Sequence, residues 1–265
     1  MRLAEKIVAI DWSGSQPAAA QRRHIVAAEV DAQQIRLSSG RTRAELLAWL
    51  ATDILKDEKN TVVGLDFSFS FPADFLARNN LKKIGDLWQL VAEQGESWLA
   101  NCPPPFWGKP GKKRPAPFPG EELRRCEKAI NVGGIRPKSI YQIGGAGAAG
   151  TGSLRGMPLL PDLRRAGYAI WPFDEPRLPL AFEMYPRLLT GPVAKSNPDA
   201  RKKYLAAMDL SGLPQLSSET RKKAEASEDA FDALVSAISL YRRRASLACL
   251  KRASDALGQL EGAVV

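Results

Sequence analysis

Two short apolar runs in this chain end in the same way. Ile-Val-Ala-Ile-Asp11 and Val-Val-Gly-Leu-Asp66 each close a β-branched stretch on an aspartate. If the two runs are adjacent parallel strands, both carboxylates emerge at one carboxyl edge of the sheet, where open α/β sheets place their ligands. Buried aspartates side by side repel unless a proton or a cation stands between them. A divalent metal is the economical partner, because hard cations such as Mg²⁺ or Mn²⁺ take oxygen ligands and keep several waters. For either aspartate alone, the competing reading is a cap on the turn that follows.

Further acids extend the pattern. In Ser227-Glu-Asp229-Ala-Phe-Asp232-Ala-Leu-Val235, the two aspartates are three apart and share one face of a helix. Acids at a helix start usually just favour its dipole. These open the apolar part of the helix (Leu234, Val235, Ile238, Leu240) after the charged Arg221-Lys-Lys223, so they call for a buried partner. Glu183, in Phe182-Glu-Met-Tyr-Pro186, is an acid inside an apolar strand and also wants a counter-ion. The single histidine, His24, follows Arg22 and Arg23 at a turn and reads as a surface residue. Without it no Ser-His-Asp or Cys-His site can be built, which leaves the chemistry to carboxylates. The three cysteines, Cys102, Cys126 and Cys249, form no C-x-x-C pair and argue against a disulfide framework or a zinc knuckle.

The elements that must position these acids can be read from apolar periodicity. Strands are predicted at Lys6–Asp11, His24–Val30 and Gln34–Leu37, joined by short links as in a meander. Helical spacing runs from Arg43 to Lys56 (Leu46, Leu47, Leu50, Ile54), and a buried-type strand covers Thr61–Asp66. Helices follow from Pro72 or Ala73 to Leu76 and over about residues 84–99. Residues 101–120 are rich in proline and glycine and carry a basic cluster, so they read as an insertion loop. Late strands at residues 168–173 and 180–185, short helices around 199–208 and one long helix over about 218–248 complete the chain. The order is three strands, helix, strand, helices, strand, helix, which is an α/β pattern with a mixed sheet. At 265 residues with 45% hydrophobic and 25% charged side chains, one domain spanning 1–265 is expected. The start leads straight into a strand, and no apolar stretch is long enough to span a membrane. A cytoplasmic protein with no membrane partner follows as the expectation; a homo-oligomer stays open. The net charge of +9 and a pI near 9.6 favour polyanions, nucleic acid above all.

The arrangement of acids resembles the ribonuclease H-like superfamily, in which acids from the first strand, the fourth strand and a late helix bind two divalent ions. Five stretches are more specifically similar to the family known as domain of unknown function number 429, described as predicted nucleases of that fold. They are Val-Ala-Ile-Asp-Trp-Ser-Gly14, Gly-Leu-Asp-Phe-Ser-Phe69, the glycine-rich run Gln142 to Gly156, Phe-Glu-Met-Tyr-Pro186 and Glu-Asp-Ala-Phe-Asp-Ala-Leu-Val235. They fall in the expected order over nearly the whole chain. One departure is that Holliday-junction resolvases of the superfamily carry a glutamate in the central strand region, where this chain has Asp66. The resemblance implies a five-stranded mixed sheet flanked by helices and metal-assisted phosphodiester hydrolysis. It makes Asp11, Asp66, Asp229 and Asp232 metal ligands, with Glu183 a ligand or a neighbour, around two Mg²⁺ or Mn²⁺ ions about 3.5–4 Å apart. Trp12 and Ser13, next to Asp11, are placed to touch substrate. Lys109, Lys112, Lys113 and Arg114 could hold phosphates while Phe106, Trp107 and Phe118 stack bases. Arg155 and the backbone of Gly144 to Gly156 suit a phosphate chain or simple packing against another segment.

Rival readings draw on parts of the same sequence. Gly145-Ala-Gly-Ala-Ala-Gly150 fits the dinucleotide-binding pattern, but Gly152, Gly156, Pro158 and Pro161 leave only short helical pieces after it. Asp11-Trp-Ser-Gly-Ser15 resembles the phosphate turn of sugar kinases and actin-like ATPases, nucleotide-directed phosphotransfer enzymes that need a duplicated domain. A third alternative is a non-catalytic fold that binds nucleic acid or a protein. The presence of every acid the site would need speaks against it.

Overall fold

The structure, a computed structural model, describes residues 1–57 and 60–265. Six strands among these residues form one mixed sheet: β1 (Lys6–Asp11), β2 (Val26–Val30), β3 (Ile35–Ser38), β4 (Thr61–Leu65), β5 (Ala169–Trp171) and β6 (Leu180–Glu183), in the order β3-β2-β1-β4-β6-β5. The first three pair antiparallel, while β4, β6 and β5 run parallel to β1. The sheet has six strands rather than the five that the resemblance implies, and the two late apolar runs form two separate parallel strands, as read from the sequence.

Helices cover both faces. In chain order they are α1 (Ala18–His24), α2 (Arg43–Trp49), α3 (Ala73–Arg78), α4 (Ile84–Asn101), α5 (Arg125–Lys128), α6 (Ala149–Gly156), α7 (Leu160–Arg165), α8 (Pro186–Thr190), α9 (Pro198–Ala207), α10 (Ser218–Ala226), α11 (Glu228–Arg242), α12 (Arg244–Ala248) and α13 (Ala256–Glu261). One core holds Val8, Ile10, Val63 and Leu65 against Leu46, Trp88 and Leu154. The other holds Ile7, Ala9 and Val62 against Phe231, Leu234 and Ile238 of α11. Since β1 and β4 are buried on both sides, they read as continuous apolar runs rather than alternating ones.

Two expectations are corrected. Helix α1 stands where only a turn was read, behind Pro17, whose fixed φ suits the residue leading into a helix. The final helix is not continuous. Ser227 leaves helical geometry, closes α10 and caps α11, its Oγ accepting from the Ala230 N–H at 3.3 Å. That break lets α11 turn its apolar side to the sheet independently of the charged α10.

The glycine-rich stretch is explained by close packing. A Cβ on Gly14 would lie 2.6 Å from the backbone of Gly152, and one on Gly150 1.9 Å from the Ile140 carbonyl. Only glycine lets α6 come this near the turn after β1. The leading amides of α6 are also engaged, with Ala149, Gly150 and Thr151 donating to Gly147, Gln142 and Ala148. The dinucleotide pattern lacks its strand as well, since Gln142 makes only an isolated bridge to Trp107.

Candidate acidic site

Residue parity decides which acids meet. Asp11 continues the alternation of Ile7 and Ala9, and Asp66 that of Val62 and Gly64, all facing α11. The strands are in register with Ile10 beside Leu65, and the Asp66 N–H donates to the Ile10 carbonyl at 3.1 Å. The two carboxylates therefore leave the sheet as neighbours. Helix α11 crosses the same edge and presents Asp232, which is 3% exposed, one turn inside its N-terminus. The fourth acid, Asp229, stands at the rim. Its Oδ2 is 2.8 Å from His24 Nδ1, and both side chains are partly exposed. His24 is thus a partner of the acidic edge rather than an isolated surface residue.

The neighbourhood is short of positive charge. Burial, then the charges of Asp66, Asp232 and Asp229, push the Asp11 carboxyl well above the usual carboxylate range. Asp66 keeps a partly exposed edge, yet enclosure by protein and the Asp232 charge raise it to about 8. Burial raises Asp232 too, against the pull of Lys195. Lys195 bonds directly to Asp232 Oδ2 and is the cation that the sequence reading passed over, in the linker between α8 and α9. Burial works against its charge, but Asp232, Asp11 and Asp66 outweigh that and raise its pKa.

Glu183 stands beside this group and faces away from Asp11 and Asp232. It stands opposite Leu65 in register and shares the parity of Ala181, so it points to the other face of the sheet. There it accepts from the fully buried Arg124 through both oxygens and from the Phe69 N–H at 2.8 Å. With its lone pairs so occupied it is a structural ion-pair partner, and of the two expected roles, ligand or neighbour, it fits the neighbour: it lines the same cavity as Asp66, and its charge helps raise the Asp66 carboxyl.

A cavity of about 750 Å³ adjoins Asp66, with Trp12, Phe67, Lys138, Thr151 and Tyr185 in its wall. Trp12 is fixed there, its Nε1–H donating to the Gly152 carbonyl at 3.0 Å and its ring 4.8 Å from that of Phe67. Ser13 is buried below the turn, where its Oγ accepts from the Ser15 N–H. Arg155 reaches the cavity wall, but its guanidinium is held by Glu96 at 2.7 and 2.8 Å and by the Gly14 carbonyl. It serves as a strut for the turn after β1 and is not free to take a phosphate. Lys109, Lys112, Lys113 and Arg114 lie outside the cavity wall. Arg114 is paired with Glu122, and Lys112 and Lys113 are exposed. Phe106 is in the core, stacked on Trp98, and cannot receive a base.

No family model, curated protein or solved structure matches this chain.

The donor chemistry can still be tested against a metal. No group of three or more His, Cys, Asp or Glu among the described residues is arranged as a ready-made metal cluster. One carboxylate, Asp232, is drawn instead onto Lys195. Yet Asp232 Oδ1 is buried without a hydrogen-bond partner. No hydrogen bond or ion pair within 4.0 Å satisfies the side chains of Asp11 or Asp66 among the described residues either. Buried oxygens without donors cost stability unless a cation or proton satisfies them. The oxygens of Asp11, Asp66 and Asp232 are donors of the kind that a hard divalent ion takes.

Proposed function

We propose that this protein is a divalent-metal-dependent nuclease, hydrolysing phosphodiester bonds of nucleic acid at the edge formed by Asp11, Asp66 and Asp232. The observation that carries the reading is the convergence of three carboxylates, Asp11 and Asp232 buried and Asp66 partly exposed, at the ends of two adjacent parallel strands and under one helix, with Asp232 Oδ1 buried and unpartnered. Acids from a first strand, a fourth strand and a late helix are also what the ribonuclease H-like resemblance calls for. The net charge of +9 supports a polyanionic substrate.

Asp11, Asp66 and Asp232 would hold Mg²⁺ or Mn²⁺, with Asp229 at the rim. When bound, such an ion supplies a Lewis acid for the phosphate and a water of lowered pKa. The chain's own residues do the rest. Trp12 offers a fixed aromatic wall beside the acids, and Lys195 neutralises one carboxylate. The half-open cavity of about 750 Å³ beside Asp66 favours a second reading, a nucleotide-directed enzyme that takes one nucleotide rather than a duplex.

The test is cleavage of labelled single-stranded, duplex, hybrid and branched substrates, and of nucleoside triphosphates, in Mn²⁺ or Mg²⁺. Wild-type protein is expected to cut nucleic acid, and Asp11→Asn to lose at least about a hundredfold of that rate. Turnover of triphosphates alone would move the assignment to the second reading. No cleavage of any substrate by folded protein would overturn both.

A further inference from the structure

We propose that the cavity beside Asp66 seats one unpaired nucleotide of a single strand, whatever its base. The inference deepens the function proposed above and rests on its choice of nucleic acid as substrate.

Size and position select a single unit. At about 750 Å³ the cavity lies within the range of about 300–1,000 Å³ in which pockets enclose one small ligand. Asp66 belongs both to its wall and to the acidic edge, so a unit seated inside joins its neighbour at that edge. A base still paired in a duplex shows only its edges in the grooves, and must leave the stack before its face can meet a wall. The wall here is aromatic and fixed. Trp12 is pinned through its Nε1–H, and the Phe67 ring is pressed against Gly156, where a Cβ would fall 2.5 Å from it.

The polar side chains of the wall do not select a base, because most are already engaged. The hydroxyls of Thr151 and Ser153 donate to the Ile143 and Ala149 carbonyls, both at 3.0 Å. Glu127 and Glu183 are held by Arg124, and Arg155 by Glu96. Apart from Asp66, the polar side chains of the wall without a hydrogen bond or ion pair among the described residues are Ser15, Gln16, Lys138 and Tyr185. Ser15 and Tyr185 offer hydroxyls, which donate or accept as required and so fit any base edge. Gln16 is exposed, with nothing to fix its amide. What remains is stacking, which every base offers. Lys138 suits the other end of a nucleotide. It is exposed, and its stem lies along Gly147, where a Cβ would come 3.4 Å from its Cε. Its ammonium thus stands unpaired at the solvent side of the cavity, a point charge for a phosphate.

The experiment is calorimetric titration of the full chain with the four nucleosides and their 5′-monophosphates, with and without Mg²⁺. The four monophosphates are expected to bind within about threefold of one another. Ala148→Trp, which fills the cavity from its wall, is expected to weaken each by about tenfold or more. Lys138→Met is expected to weaken the monophosphates by about threefold or more and to leave the nucleosides unchanged. On a labelled hairpin with a single-stranded tail, wild type is expected to cut the tail and spare the stem. The proposal is overturned by any of four results: no monophosphate bound to folded wild type, equal binding to Ala148→Trp, a preference of about tenfold or more for one base, or equal cutting of stem and tail. Monophosphate binding without cleavage of any strand would keep the seat and remove the nuclease reading. Cleavage without monophosphate binding would do the reverse. If Ala148→Trp fails to fold, as circular dichroism would show, Lys138→Met decides, and unchanged monophosphate affinity there counts against the seat.

Discussion

At Asp66 the acidic edge has a measurable consequence for stability. Its carboxyl is raised to about 8 in the folded chain from an ordinary value of 3.8. Between those values the folded state holds a proton that the unfolded state has released. Stability therefore falls as pH rises through that window. Asp66→Asn removes the titrating group, so in the presence of a chelator its melting temperature should exceed that of wild type by a few degrees at pH 8 and by little at pH 4. Equal shifts at both pH values would show that the carboxyl is not the cause. At this scale the sequence was informative wherever strand parity could be counted. Asp11 and Asp66 were legible because each ends a β-branched run. The side on which Glu183 lies was not legible, since it follows from register with Leu65, which no local pattern reveals. Lys195 left no local signal at all, being a lysine in a polar linker.

At the scale of elements, the break at Ser227 is the most consequential departure from the sequence reading. One residue ends α10, through its N–H to the Lys223 carbonyl, and caps α11 with its hydroxyl. Replacing it with alanine is expected to cost about 1 kcal/mol in urea denaturation, the usual loss on removing such a cap. An unchanged midpoint would mean that water replaces the hydroxyl fully. The long amphipathic pattern concealed this break because both helices share compatible periodicity, and an N-cap serine is equally at home inside a polar helical face. Within the stretch read as an insertion loop, Phe106 belongs to the core. A local run of prolines gave no sign of which aromatic would turn inward. The central strands, by contrast, were legible almost to the residue, because strands buried on both faces leave uninterrupted apolar runs.

For the whole molecule, the acids, Lys195 and the two cores act through one folding equilibrium. A cation that binds only the folded chain raises its stability with concentration, and carboxyls that must lose protons to bind it do so more readily at high pH. A few millimolar Mn²⁺ should therefore raise the melting temperature more at pH 8 than at pH 5, read by differential scanning fluorimetry. An equal rise at both, or none, would count against the acids as its ligands. The sheet order carries a different consequence, for synthesis. Strand β4 sits between β1 and β6, although β6 follows it only after α3 to α7 and β5. On the ribosome, β1 to β4 emerge long before β6, so the nascent sheet carries an open β4 edge ready to accept any extended strand. Asp66 follows that open strand and Asp11 ends the strand behind it, while the segment carrying Lys195, the cation of the acidic site, leaves the exit tunnel later still. The half-made protein is thus the form most exposed to mispairing, and chaperone demand should fall on it rather than on the finished chain.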